Sequence, residues 1–66
     1  MEIVINGEIK QVPNGWTVAQ LLDDLQLSAK PLAVEVNLEV VPRAKRGEVT
    51  LAAGDRLELV TLVGGG

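Results

Sequence analysis

Two kinds of group in this 66-residue chain have the chemistry to take part in a reaction. The first is a set of nine carboxylates: Glu2, Glu8, Asp23, Asp24, Glu35, Glu39, Glu48, Asp55 and Glu58. Paired across a pocket, carboxylates act as general acid and base. Here they are scattered between apolar positions and in turns, and no spacing suggests such a pair, so solvated surface charge is the better reading. The second is Gly64-Gly65-Gly66, which follows at once on the apolar run Leu57-Glu58-Leu59-Val60-Thr61-Leu62-Val63. A strand running into three residues without side chains leaves a bare stem that ends in a carboxylate. Glycine-rich ends are also ordinary, being often disordered or the remains of a linker. The rest of the chain has to decide between these readings.

The missing residue types narrow the chemistry. There is no His, Cys or Tyr, which removes the commonest general base and the thiol nucleophile. It also leaves no disulfide staple and no His or Cys cluster for a structural metal. The expectation is that this chain is not itself an enzyme and binds no metal or cofactor of its own.

Sixty-six residues make one small domain, which buries only about 60% of its unfolded surface. A hydrophobic share of 47%, mostly Val, Leu and Ile, lets packing supply the stability. The formal net charge of -3 argues against nucleic acid as a partner, because phosphate binding draws on an excess of Lys and Arg. The opening residues Met1-Glu2-Ile3-Val4 begin a strand pattern directly, so no signal peptide is expected. No apolar run approaches the length needed to cross a bilayer. The expected setting is cytoplasmic, with no membrane partner.

The elements that must carry the glycine stem are legible in order. Glu2 to Ile5 and Glu8 to Val12 are rich in β-branched residues and are separated by Asn6-Gly7, which suits a two-residue type I′ turn. That turn sets Ile5 opposite Glu8, Val4 opposite Ile9, Ile3 opposite Lys10 and Met1 opposite Val12. Met1, Ile3, Ile5 and Val12 then share one face, and Val4 and Ile9 the other. After Pro13-Asn14-Gly15, Thr17 and Gln20 form a capping box, with Trp16 and Leu21 at staple positions. Val18, Leu21, Leu22 and Leu25 follow helical spacing, which predicts a helix over about 17–26 with Gln20, Asp23, Asp24 and Gln26 in water.

Leu32 to Asn37 reads as a third strand with Leu32, Val34 and Val36 on one face. A short edge segment follows at Val40-Val41, ended by Pro42. Arg43-Ala44-Lys45-Arg46-Gly47 holds half of the six basic residues. It reads as a solvated loop protecting an edge, with a contact to an acidic or phosphate-bearing partner as the sharper alternative. Glu48 to Leu51 reads as a short extended piece and Ala52 to Asp55 as a turn. The last strand runs from Arg56 to Val63, with Leu57, Leu59 and Val63 on one face and Val60 and Leu62 on the other. The order defines an α+β domain with one helix across one face of a mixed sheet.

This order, ending in Gly-Gly, resembles the β-grasp of ubiquitin-like proteins, and within that group the ThiS-type sulfur carriers of thiamine biosynthesis. The resemblance rests on Ile3-Val4-Ile5-Asn6-Gly7, on Thr17-Val18 with Leu21-Leu22, on Val36-Asn37 followed by Val41-Pro42-Arg43, and on Gly54-Asp55 before Leu57-Glu58-Leu59-Val60. It is completed by Val63-Gly64-Gly65-Gly66 and covers essentially the whole length. It implies a single domain over residues 1–63 and a flexible glycine tail over 64–66. It further implies that an E1-like activating enzyme (ThiF type) uses ATP and Mg²⁺ to adenylate the carboxylate of Gly66. A persulfide sulfur, from a donor such as a cysteine desulfurase, then displaces AMP to leave a thiocarboxylate. A thiazole synthase (ThiG type) receives that sulfur.

Gly64 and Gly65 are expected to thread a narrow active site, where any Cβ would widen the stem and restrict its backbone. In a β-grasp sheet the first and last strands are neighbours, so Val4, Ile9, Val60 and Leu62 would share the face away from the helix. These four are the candidate docking patch at the root of the tail. The alternative for Val4 and Ile9 is a cross-strand pair that only stabilises the hairpin. Arg43 is a candidate polar contact. A sulfur carrier of the same kind for another pathway (the molybdopterin synthase small subunit, or a carrier for tRNA thiolation or cysteine synthesis), a ubiquitin-like protein modifier, and a non-covalent interaction module remain alternatives.

Overall fold

The computed structural model describes residues 1–62; Val63, Gly64, Gly65 and Gly66, with the expectations placed on them, lie outside the described residues. Strands β1 (Glu2–Ile5) and β2 (Glu8–Gln11) form the predicted hairpin. Its register is the one the turn dictates, with Ile5 opposite Glu8, Val4 opposite Ile9 and Ile3 opposite Lys10. Asn6 and Gly7 have φ of 49° and 84°, both positive as a type I′ turn requires. The pairing continues one step further: the Val12 amide donates to the Met1 carbonyl at 2.9 Å, and the Met1 ammonium donates to the Val12 carbonyl at 2.6 Å.

Helix α1 (Val18–Asp24) starts at the predicted capping box. The Gln20 amide donates to the Thr17 hydroxyl at 3.2 Å, and the Thr17 amide donates to Gln20 Oε1 at 2.8 Å. The helix is shorter at its far end than the predicted 26. Leu25 is its C-cap and Gln26 turns left-handed at φ 60°. The Leu27 amide then reaches the Leu22 carbonyl at 2.8 Å and the Gln26 amide the Asp23 carbonyl at 3.0 Å, the paired bonds of a Schellman ending. That ending usually takes glycine, so nothing in the local sequence marked it.

Strands β3 (Leu32–Val36) and β4 (Glu39–Val40) make a second tight hairpin, with Glu35 opposite Val40 and Val36 opposite Glu39. Strand β4 begins one residue before the predicted segment. Strand β5 (Arg56–Thr61) lies at the centre of the sheet, whose order is β2-β1-β5-β3-β4. It runs parallel to β1 and antiparallel to β3. The extended piece predicted over residues 48–51 reduces to one bridge between Thr50 and Thr17. It straps the start of α1: the Leu51 amide donates to the Trp16 carbonyl and the Val18 amide to the Val49 carbonyl.

One layer of core fills the space between the sheet and α1. Ile3, Val18, Leu21, Leu22, Val34 and Leu57 are fully buried, and Met1, Ile5, Trp16 and Leu25 pack against them. The predicted inward faces of both hairpin and helix are therefore the ones that meet.

The basic stretch after Pro42 is solvated as the sequence suggests at Arg43, Ala44, Lys45 and Gly47, but it departs from a plain loop in its backbone and at Arg46. Arg43–Lys45 form a turn of 3₁₀ helix, and Arg46 is only 8% exposed. The reason lies at the sheet edge. The Val41 amide still donates to the Val34 carbonyl, but Pro42 then takes the chain away, so β4 offers no donor to the Leu32 carbonyl. Arg46 Nη2 supplies it at 2.7 Å. Replacing Arg46 with Ala removes a charge-assisted bond and leaves a carbonyl unpaired, which costs about 1.5–3 kcal/mol. Replacing exposed Arg43 in the same way stays within about 0.5 kcal/mol. Urea denaturation of the two variants measures the contrast.

Candidate partner-docking face and tail root

Whatever leaves the domain after Leu62 leaves from the end of β5, and three sets of bonds hold that strand. On one side it pairs with β3, from Val36 opposite Leu57 to Leu32 opposite Thr61. The Leu62 amide adds a last bond to the Pro31 carbonyl at 2.9 Å. On the other side β1 pairs with it only through Val4–Arg56 and Ile5–Leu57. Beyond that point the Asn6 side chain takes over from the β1 backbone. Its Oδ1 accepts from the Leu59 amide at 2.8 Å and its Nδ2 donates to the Leu59 carbonyl at 3.1 Å. Asn6 thus serves both the hairpin turn and the strand that leads to the tail.

Alternation fixes the faces of these strands. Ile3, Leu57 and Val34 point into the core, so Val4, Val60 and Ala33 point away from the helix. Val60 is 56% exposed and Leu62 53% exposed, and Ile9 is also open to solvent. Val4 is half-buried. All four residues expected in the docking patch therefore lie on the outer side, but they form two groups. Val4 and Ile9 are a cross-strand pair level with Arg56. Val60 lies four residues further along β5, about 13 Å away, and outward-facing Glu58 stands between. Val60 and Leu62 alone stand at the tail root, beside Ala33 and Pro31.

Arg43 also belongs to this end of the molecule. It is exposed, and its Nη2 donates to the Ser28 carbonyl at 3.1 Å. Residues 28–31 therefore anchor both Arg43 and Leu62. Among the described residues no group of three or more His, Cys, Asp or Glu side chains is placed to hold a metal ion. No helix among them is long and apolar enough to cross a membrane. The arrangement presents the carboxyl-side end of a central strand, bordered by apolar side chains and one guanidinium, to whatever takes hold of the residues beyond it.

A five-stranded mixed sheet of this order, gripped on one face by a single helix, is the ubiquitin-like β-grasp. The ThiS family model matches residues 3–66. The crystal structure of the thiamine biosynthesis protein (ThiS) from Geobacter metallireducens superposes with a TM-score of 0.86 at 32% identity, covering 100% of both chains. The sulfur carrier protein ThiS of Escherichia coli is 30% identical over the full length of both chains. A thiazole synthase of Paramagnetospirillum magneticum is 42% identical over all 66 residues, and there the chain spans 20% of its relative's length. The chain belongs to the ThiS family.

Proposed function

We propose that this chain carries sulfur for the formation of the thiazole ring of thiamine, as a co-substrate of other enzymes. The observation that carries the reading is the family match, which continues through Gly66. On this reading the Gly66 carboxylate attacks the α-phosphate of ATP in an E1-like activating enzyme, with Mg²⁺ on the phosphates, and pyrophosphate leaves. Adenylation matters because a carboxylate resists nucleophiles, whereas its mixed anhydride has AMP as a leaving group. A persulfide, supplied through a cysteine desulfurase, displaces AMP. Cleavage of its S–S bond by a second thiol leaves a thiocarboxylate on Gly66. A thiazole synthase then takes the sulfur.

A chain without cysteine can hold transferable sulfur in this form without a side-chain nucleophile. Gly64 and Gly65 are the stem, which extends by about 3.3–3.6 Å per residue into a partner's cleft while the β-grasp body stays outside. On this reading the reaction belongs to the cytoplasm, where ATP and reduced thiols are available. The test is intact-mass spectrometry of the protein made alongside its activating enzyme. The expected result is a mass gain equal to exchange of one oxygen for sulfur, localised to Gly66. Absence of that gain in the presence of an active enzyme, ATP and a sulfur donor sinks the reading.

The body docks through the tail-root surface, with Val60 and Leu62 at its centre and Arg43 at its margin, while the Val4–Ile9 pair lies about 13 Å from it. A Val60→Asp variant keeps its fold, since the side chain lies on the open face, and loses most of its adenylation rate. Rates equal to those of the parent in a folded variant refute this docking surface. A second reading is favoured by the thiazole synthase relative of which this chain spans a fifth: the same domain built into a longer synthase. The mass of the protein isolated from its native source separates the two.

A further inference from the structure

At the end of the sheet opposite the tail root, the outer face breaks three local rules within one small area. Leu38, second residue of the β3–β4 turn, adopts a left-handed backbone at φ 70°, where asparagine and glycine are favoured and a bulky side chain is strained. It is also 89% exposed. Beside it, Val40 is 70% exposed on the outward side of edge strand β4. Next in the same row, Glu35 and Glu58 stand directly opposite each other on β3 and β5, a like-charge arrangement that disfavours the sheet. The ion pairs found among the described residues, Lys10–Asp24 and Lys45–Glu48, involve neither of them. Between the two hairpin turns lies a hollow of about 470 Å³, lined by Val4, Gly7, Leu38, Arg56 and Glu58 among others.

The position of this area decides what it can do. Asn37 is hydrogen-bonded to Arg56 at the start of β5, and Leu62 is six residues further on. The Leu38 tip is therefore about 20 Å from the tail root. Every enzyme that handles Gly66 must close around the tail root, so contacts there are shared. Contacts at the Leu38 end are not. Exposed apolar side chains and a carboxylate pair outside the Lys10–Asp24 and Lys45–Glu48 ion pairs complement a protein surface with an apolar socket bordered by Lys or Arg.

We infer that Leu38 and Val40 form a second, partner-selective docking point for the thiazole synthase, whose cations face Glu35 and Glu58. The inference rests on the proposed sulfur transfer, and the synthase is chosen because this domain shares 42% identity with a segment of one. Strain at Leu38 and repulsion at Glu35 are costs to the free domain that the complex offsets. Removing either feature stabilises the free chain and weakens the complex.

The test compares the parent chain with Leu38→Asn, which suits the left-handed backbone, and with Glu35→Gln. Melting temperatures, titration against purified synthase and adenylation rates are measured together. Leu38→Asn is expected to melt no lower than the parent, to bind the synthase roughly tenfold more weakly, and to be adenylated at the parental rate. Glu35→Gln is expected to weaken synthase binding and to flatten its dependence on salt. Unchanged affinity of Leu38→Asn for the synthase overturns the inference. So does an equal loss toward the activating enzyme, or a self-association that Leu38→Asn abolishes while synthase affinity is kept. Sulfur uptake, read by mass in the same preparations, separates failure of the inference from failure of the carrier reading. A parent chain that takes up sulfur and does not bind the synthase overturns the inference alone.

Discussion

A chain lacking Gly65 and Gly66 is expected to fold as the full chain does and to take up no sulfur at all. The body explains the first half. Among the described residues the fully buried side chains lie within the first 57, and β5 is held by β3, by the Asn6 side chain and by the Leu62–Pro31 bond. None of these contacts uses residue 65 or 66. The chemistry explains the second half. A carboxylate moved two residues toward the domain falls short by about 7 Å, and placement errors of even 1 Å cost activated transfer heavily. Binding through the sheet face survives, so the truncated chain should compete with the full chain for the activating enzyme. Parallel measurements of melting temperature, sulfur uptake by intact mass, and inhibition of full-chain adenylation check the three statements. A passive interaction module would instead keep its function without the two glycines.

The second large effect is on the fold. Leu57→Ala is expected to cost about 2–5 kcal/mol. Leu57 is buried on the central strand, opposite Ile5 on one side and Val36 on the other. Its carbonyl accepts from the Asn6 amide, so backbone and side chain both tie the two hairpins together. Domains have roughly 0.05–0.15 kcal/mol of stability per residue, which for 66 residues is about 3–10 kcal/mol. One methyl-rich side chain is thus a large part of the whole. No disulfide supports the fold, because the chain has no cysteine. Urea titration followed through Trp16, the single Trp, should show a midpoint moved strongly downward with the slope kept. A shift of less than about 1 kcal/mol would mean that the core repacks around the loss.

The two proposed docking points divide the outer face. Val60 and Leu62 stand where the tail leaves, and every partner of the tail must meet them. Leu38 and Val40 stand at the other end of β5, where only some partners need to reach. A small carrier has one reactive group to offer to successive enzymes, and selectivity between them has to come from surfaces of this second kind.

Much of this was legible before the structure. Asn6-Gly7 fixed the first hairpin and its register, because a two-residue turn with both φ positive leaves one pairing. Thr17 and Gln20 marked the start of α1, and the 3.6-residue and two-residue periods marked the faces that meet in the core. These are local determinants, set by the backbone and side chains of residues a few positions apart. What the tertiary structure alone decided depends on offsets between distant segments. The pairing of Val4 with Arg56 places one apolar pair level with the start of β5 and leaves Val60 about 13 Å beyond it, so the expected single patch is two. The departure of the chain at Pro42 creates an unpaired carbonyl, and only packing brings Arg46 to it. The left-handed turn at Asn37-Leu38 carries leucine where a turn signal would be glycine, so tertiary bonds from Asn37 to Asp55 and Arg56 hold it instead. Periodicity reports which side of an element is buried; the level at which two strands meet is fixed only when the whole sheet closes on its helix.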